Sequence, residues 1–388
     1  MNRTLIIRSI IGVIVLMIGL VGSYFIFNNT SVGSNLGYQP ALLKNGSIQF
    51  DPSLPKTESC PLNGAMYSKQ QRDWWEKHAP MGVMIENEID ARPQSGWSFA
   101  DVVYEAVAEG GITRTLSVFY CQDPGIVGPV RSARTYFLDW ISEYGAYPLY
   151  VHVGGANQAG PANALGQIED YGWGGFNDIS GLSVGAPVFV RDYNRNNRDV
   201  AYEHTDYSNT DQLWNFAASS RGITNTAKGV AWDQNFVPYK FKDDAAQADR
   251  GSVNNIHVEF WSSQPDYTVN WKYNQSTNSY LRSDGNGKPY IDRDTEKQIA
   301  AKNVIVLQMS ESDVNDGYSD GVHQLFGDIG TGKATVFLDG KKIDGTWSKA
   351  SRTDRTLITD QNGNPVVFNK GLMWFEIYSP TDGALTTP

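Results

Sequence analysis

The stretch "SFADVVYEAVAEGGITRTLSVFYC", residues 98–121, decides how the first half of this 388-residue chain is read. Phe99, Val102, Val103, Ala106 and Val107 recur at helical spacing, and Gly110–Gly111 supplies the kind of stop that ends helices. The residues that follow, "ITRTLSVFYC", alternate as a strand should. The expectation is a helix over 98–110 feeding a strand over 112–121.

Working outward, the same alternation continues. "MGVMIEN" (81–87) and "YPLYVHVGG" (147–155) read as strands. "RSARTYFLDWISEYG" (131–145) reads as a helix with Tyr136, Phe137, Trp140, Ile141 and Tyr144 on its buried side. The second half of "NQAGPANALGQIEDYG" (157–172) is helical, and "SNTDQLWNFAASSRG" (208–222) is a helix capped by Ser208 or Thr210. Strands alternating with helices at this spacing predict an α/β layered domain over 63–230. Beyond it the pattern becomes short strands separated by turn dipeptides, with hairpin signals at Asp284-Gly285, Asp339-Gly340 and Asn362-Gly363. The predicted fold class is α+β in two domains, the second a mostly antiparallel β domain over 231–388.

Ahead of these domains, Arg3 and Arg8 precede an uncharged apolar run from Ser9 to Phe27. About 20 such residues span a bilayer as one helix. Basic residues on the near side keep residues 1–8 cytoplasmic and send the rest outward. Residues 9–27 are thus expected to be a retained transmembrane signal anchor, making the protein single-pass at the cell membrane, with a cleaved signal peptide as the alternative. Residues 28–62, rich in Asn, Ser, Gly and Pro, read as a flexible tether. Two cysteines, Cys60 and Cys121, fall in the exported part. An oxidising compartment permits a disulfide between them, although two buried unpaired thiols fit as well. A net charge of −10 disfavours nucleic acid as a partner, since phosphate backbones attract basic surfaces.

Common catalytic signatures are missing. There is no G-x-S-x-G elbow and no H-E-x-x-H helix, and five scattered histidines lack the clustered spacing of a zinc site. No metal and no cofactor is therefore expected. "GDIGTGKAT" (327–335) has the glycine and lysine spacing of a phosphate loop, but Ala334 stands where a magnesium-binding hydroxyl is needed and a strand follows. It reads as a turn between strands. Trp271, Trp347 and Trp374 read as inward residues of their strands rather than sugar-stacking platforms.

A polar set inside the first domain remains. In "GPVRSARTYFLDW" (128–140), Arg131 and Arg134 occupy the opening turn of the expected helix, where the dipole repels cations. Asp101, Glu105 and Glu109 follow at i, i+4 and i+8 and repel one another if helical. Either the arginines meet Glu105 and Glu109 inside the fold, or both sets line a cleft for a charged ligand, guanidinium forks being suited to phosphate and carboxylate. Glu105 and Glu109 are also the candidates for a general-acid pair cleaving a glycosidic bond. His152 sits at a strand end before Gly154–Gly155, and His204 lies in a loop near Arg198.

"ARPQSGWSFADVVYEAVAEGGITR" (91–114), "VGPVRSARTYFLDW" (127–140), "YVHVGGANQA" (150–159) and "SRTDRTLITDQNGNPVVFNKGLMWFEIYSP" (351–380) resemble the DUF3048 family across most of residues 63–380. The resemblance implies a bacterial cell-envelope protein with an N-terminal α/β-type and a C-terminal β domain, and no assigned reaction. It directs attention to Arg92, Gln94, Ser95, Asp101, Glu105, Glu109, Arg114, Arg131, Ser132, Arg134, His152, Arg198 and His204. Two departures stand out. The family's lipid-attachment cysteine is absent, and a loop the family tends to write Pro-His-Asn reads Glu203-His204-Thr205 here.

The resulting expectation is a membrane-anchored, extracytoplasmic binding or scaffold protein with an Arg- and carboxylate-lined cleft for an anionic or glycan ligand such as cell-wall polymer. Its expected ligand contacts are Arg92, Gln94, Ser95, Asp101, Arg114, Arg131, Ser132, Arg134, His152, Arg198 and His204. The alternatives are a cell-wall hydrolase or lyase acting through Glu105 and Glu109, and a module that contacts another envelope protein.

Overall fold

The structure is a computed structural model that describes residues 47–48, 50–196, 199–262, 264–318 and 322–388. The expected anchor (9–27) and residue Arg198 lie outside the described residues. Among the described residues no helix is long and apolar enough to cross a membrane.

Folded structure begins inside the segment expected to be tether. Lys56–Ser59 pairs antiparallel with Met66–Ser68, and Cys60 and Leu62 are buried. That shortens the expected tether at its C-terminal end, because these residues have a core to join. The helix α1 (Lys69–Trp75) follows, capped by Ser68, whose side chain accepts from the amide of Gln71.

The first half then contributes β1 (Met81–Glu86), β2 (Val102–Glu109), β3 (Ile112–Phe119), α2 (Thr135–Ile141), β4 (Leu149–His152), α3 (Ala164–Asp170), β5 (Asp178–Ser180) and α4 (Thr210–Arg221). The second half contributes β6 (Asn255–Glu259), β7 (Val269–Asn274), β8 (Ser279–Asp284), β9 (Asn303–Gln308), β10 (Glu311–Val314), β11 (His323–Phe326), β12 (Gly330–Leu338), β13 (Lys341–Lys349), β14 (Leu357–Asp360) and β15 (Met373–Tyr378). Helices concentrated in the first half and antiparallel strands in the second give the expected α+β class.

The two halves share one ten-stranded sheet, ordered β14-β13-β12-β9-β15-β2-β3-β1-β4-β5. The join is made by β15, which lies parallel to β9 on one side and to β2 on the other. One face of this sheet carries α2, where Tyr104 stacks between Trp140 and Phe375 at 5.5 and 4.6 Å. Gly82 allows the close approach there, since a Cβ would come within 2.5 Å of Ile141. The other face packs on a five-stranded sheet containing β6, β7 and β8, through the edge-on contact of Trp271 with Trp374 at 5.4 Å. Trp271, Trp347 and Trp374 are all buried core residues, as the strand pattern implies.

Three readings need correction. The helix expected over 98–110 is the strand β2. Its Val102, Val103 and Val107 are β-branched, and it is a central strand buried on both faces, so the alternation that marks half-buried strands is absent. Gly110 and Gly111 do not stop a helix. Both have positive φ (58° and 79°) and form the two-residue turn that joins β2 to β3. In the phosphate-loop lookalike, Gly330–Lys333 lie within β12 rather than in a turn.

Candidate functional site

Helix α2 starts at Thr135, so Arg131 and Arg134 are not in its first turn. Arg131 to Ala133 instead run extended between strand ends. Arg131 donates its amide to the Met84 carbonyl, Val153 donates to Arg131, and Ala133 donates to Gly154. Backbone groups committed to β1 and to the segment after β4 cannot close helical turns. Arg131 is thereby taken away from the helix dipole, Arg134 remains at the N-cap of α2, and both arginines are answered by acids.

Strands β1, β2 and β4 run in one direction, and their carboxyl ends deliver Glu86, Glu109 and His152 to one edge of the sheet. This is the edge at which open α/β sheets hold ligands. Arg114 enters from the start of β3, directly opposite Glu86 in register. A β-bulge between Val107 and Glu109 shifts the strand by one residue. The bulge turns Glu109 to the face that carries Arg114, away from the face of Glu105.

The result is a cluster of three guanidinium groups around two carboxylates. Glu109 pairs with Arg134 and, at 3.3 Å, with Arg114. Glu86 pairs with Arg131 at 3.0 Å and accepts from His204 Nδ1 at 2.8 Å. Arg114 also donates to the Ser132 carbonyl, and the Ser132 hydroxyl donates to that of Val153. Arg114 and Arg134 are buried, and a quarter of the Arg131 side chain remains exposed. Burial lowers the pKa of all three guanidiniums, against the pull of Glu86 on Arg114 and Arg131 and of Tyr136, Tyr318, Tyr150 and Asp316 on Arg134. His204 is raised, chiefly by its hydrogen bond to Glu86. Five buried polar atoms at this edge have no hydrogen-bond partner among the described residues: Arg131 Nε and Glu109 Oε1, which are held in ion pairs, and Arg134 Nε, the Tyr150 hydroxyl and Gln94 Oε1.

The remaining predicted residues divide by position. His152 lies within the sheet edge, with Nδ1 2.6 Å from the Gly154 carbonyl and Nε2 2.7 Å from Asp178. Gln94 donates to the carbonyl of Glu86 and to Asn87. Arg92 donates to the carbonyls of Asn87 and Asp266 and stacks over Tyr290, while the Ser95 hydroxyl accepts from Arg195. Arg92, together with the Gln94 carbonyl that accepts from the amide of Arg293, ties the loop before β2 to the second half.

Asp101 stands at the opposite end of β2, about 26 Å from Glu109 at strand rise, too far to join the cluster. It accepts from Asn63 and from the amides of Tyr120 and Cys121, and burial pushes its pKa up to about 7. Beside it Cys60 and Cys121 form a disulfide.

Glu105 is fully buried between the sheets, bound by Arg282 at 2.7 Å and by Trp374 Nε1 at 3.2 Å. It does not share a cleft with Glu109, and the arginines do not meet it. Among the described residues the one group of three potential metal ligands that converge is Cys60, Asp101 and Cys121. Two of those are consumed by the disulfide. Sequence reasoning missed Glu86, Asp178 and Tyr150; Glu86 and Asp178 had a signal in standing at strand ends, and Tyr150, inside β4, had none.

Residues 66–224 match the family described as "Protein of unknown function (DUF3048) N-terminal domain", and residues 256–375 match its C-terminal domain. The chain belongs to the DUF3048 family. It is 29% identical over 334 residues, covering 86% of this chain and 90% of the relative, to the Bacillus subtilis (strain 168) protein named "Putative lipoprotein YerB". The crystal structure of YerB protein from Bacillus subtilis is similar with a TM-score of 0.67 at 27% identity, spanning 85% of this chain and all of that one.

Proposed function

We infer that this protein is an extracytoplasmic binding protein of the bacterial cell envelope, held at the membrane by residues 9–27, whose arginine cluster receives an anionic group of a cell-wall polymer. The envelope setting draws support from the lipoprotein name of the similar YerB. The disulfide also supports it, since such bonds persist in oxidising compartments. Both cysteines of the sequence are in that disulfide, so neither can carry a lipid, and the apolar run takes over the anchoring role.

The observation that carries the anion reading is a shortage of acceptors. Three guanidiniums are ion-paired to two carboxylates at this edge, with Glu203 and Asp316 acting on Arg131 and Arg134 from farther out, and the buried Arg134 Nε and Tyr150 hydroxyl donors find no acceptor among the described residues. Buried donors without acceptors are costly, by about 1–3 kcal/mol each. A phosphate or carboxylate reaching the edge beside Arg131 would supply the missing acceptors.

The test is co-sedimentation of the full chain, in detergent, with purified cell-wall sacculi and with sacculi stripped of their anionic polymers. Binding to the first, weakened at least tenfold by Arg131→Gln and by raised salt, is expected. Equal binding to stripped sacculi would make the ligand a neutral glycan, and no effect of Arg131→Gln would remove the cluster from the function.

A further inference from the structure

The hairpin of β10 and β11 borders a polar pocket whose charge is opposite in sign to the arginine cluster. A cavity of about 380 Å³ lies between this hairpin, the Trp261–Ser262 segment after β6, and Asp382 in the turn after β15. Glu311 and Asp313 alternate on one face of β10, and Gln324 sits opposite Asp313 in register on β11. The Asp382 turn is held by the amide of Ser262, which donates to the Asp382 carbonyl at 2.9 Å. Three carboxylates from two separate segments therefore converge on a cavity that, among the described residues, no Lys, Arg or His lines.

Two buried acceptors in the pocket lack partners. Gln324 is 2% exposed and its Oε1 accepts no hydrogen bond among the described residues, and Glu311 Oε2 likewise accepts none from them. Trp261 donates from Nε1 to Glu311 Oε1 at 3.1 Å, which brings its indole to the cavity wall. Burial, and then the charges of Asp382 and Asp313, raise the Glu311 carboxyl to about 7. An arrangement of unpaired acceptors and mutually repelling carboxylates is completed by a cation.

The geometry points to this pocket as a binding site for an organic cation, a primary ammonium or a guanidinium, recognised by Glu311, Asp313, Asp382 and Gln324 beside the indole of Trp261. The spread of the carboxylates decides between this and a metal ion. Among the described residues, these acids are not one of the groups whose ligand atoms all lie within 4.8 Å of one another. Calcium needs 6–8 oxygens within about 2.6 Å. An ammonium or guanidinium offers three to five N–H donors, reaches separated acceptors, and gains from an aromatic neighbour.

The experiment uses the full chain in detergent with cadaverine and N-acetyl-arginine amide as probes and calcium chloride as competitor. Binding is read by calorimetry and by the indole N–H resonance of Trp261, assigned through Trp261→Phe. At least one probe is expected to bind saturably. Glu311→Gln and Asp313→Asn should each weaken it at least tenfold, and Arg131→Gln should leave it unchanged. At pH 6.5 binding should release protons, because the cation favours the ionised form of Glu311 and that carboxyl titrates near 7. Glu311→Gln relieves carboxylate repulsion and so should fold at least as stably, which separates loss of binding from loss of structure. Calcium that binds here and excludes both probes, or the absence of saturable probe binding, would overturn the proposal.

Discussion

Glu105 and Glu376 lie opposite each other on adjacent parallel strands, both closed off from solvent, and one guanidinium, that of Arg282, faces the two. Arg282 binds both oxygens of Glu105, while Trp271 Nε1 donates to Glu376 at 2.7 Å. Burial first, and then Glu105, push the Glu376 carboxyl well above its ordinary range. Glu376 therefore holds its proton and Glu105 carries the charge that Arg282 answers.

Replacing the charged member should cost far more than replacing the neutral one. Glu105→Gln takes away the carboxylate that Arg282 grips through both oxygens. Only Glu376, which must first give up its proton, is left to balance the buried cation, a loss of about 3–5 kcal/mol. Glu376→Gln keeps a neutral polar side chain in place and should cost about 1 kcal/mol or less. Urea unfolding at pH 6 measures both, and equal losses would contradict this assignment of the proton.

The pH dependence has a definite sign. Glu376 and Asp101 are both raised in the folded protein, so the stability they contribute is complete below their unfolded values near 4 and is lost as pH rises. For Asp101 that loss is centred on the approach to about 7. Thermal midpoints should fall between pH 5 and 8, and Asp101→Asn should flatten the slope between pH 5 and 7. An unchanged slope in the variant would show that Asp101 is ionised throughout.

Glu109 separates structural pairing from ligand recognition. Glu109→Gln withdraws the acid that pairs with both Arg114 and Arg134. The fold should weaken by about 1–3 kcal/mol, because hydrogen bonds to buried charges are lost. Retention on anionic polymer should nevertheless rise several-fold at 4 °C, since two guanidiniums become available. A variant that loses both stability and retention would make the cluster a purely internal ion-pair network.

The disulfide closes a 61-residue separation between the segment before α1 and the end of β3. Chain-entropy arguments give about 4 kcal/mol for a loop of that length. Replacing both cysteines with serine should lower the urea midpoint accordingly, and a change below about 1 kcal/mol would mean that the reduced unfolded chain is already constrained there.

Removing residues 373–388 should unfold the first half as well as the second. The deleted strand β15 is the sole neighbour of β2 on its outer side, and Phe375 and Trp374 fill both faces of the join. Far-ultraviolet circular dichroism and limited proteolysis of a chain ending at Gly371 or Leu372 give the readout. A protease-resistant fragment spanning β1 to β5 would show that the halves fold independently.

Most of the second half was legible in the sequence because its strands are short and bounded by turn dipeptides. Asp339 and Gly340, for example, both have positive φ, as the dipeptide requires. The misread element was β2, where apolar residues on both faces imitate the spacing of a helix. Its acids then seemed to share one face, whereas the bulge at Val107–Glu109 sends Glu105 and Glu109 to opposite sides. The pairing of Arg131 with Glu86 and of Arg134 with Glu109 depends on strand order, which local pattern does not encode. Arg282, 177 residues from Glu105, was invisible for the same reason.

The place of β15 also sets when the molecule can assemble. A growing polypeptide exposes β2 early as an unpaired edge, and its missing neighbour is delivered only when residue 378 of 388 is made. Such edges recruit other chains. If the polypeptide is threaded outward from its amino end, nearly all of it must emerge before the central layer closes. Passage through a narrow conduit is then not opposed by premature compaction, and the exposed interval is one in which a holdase would act.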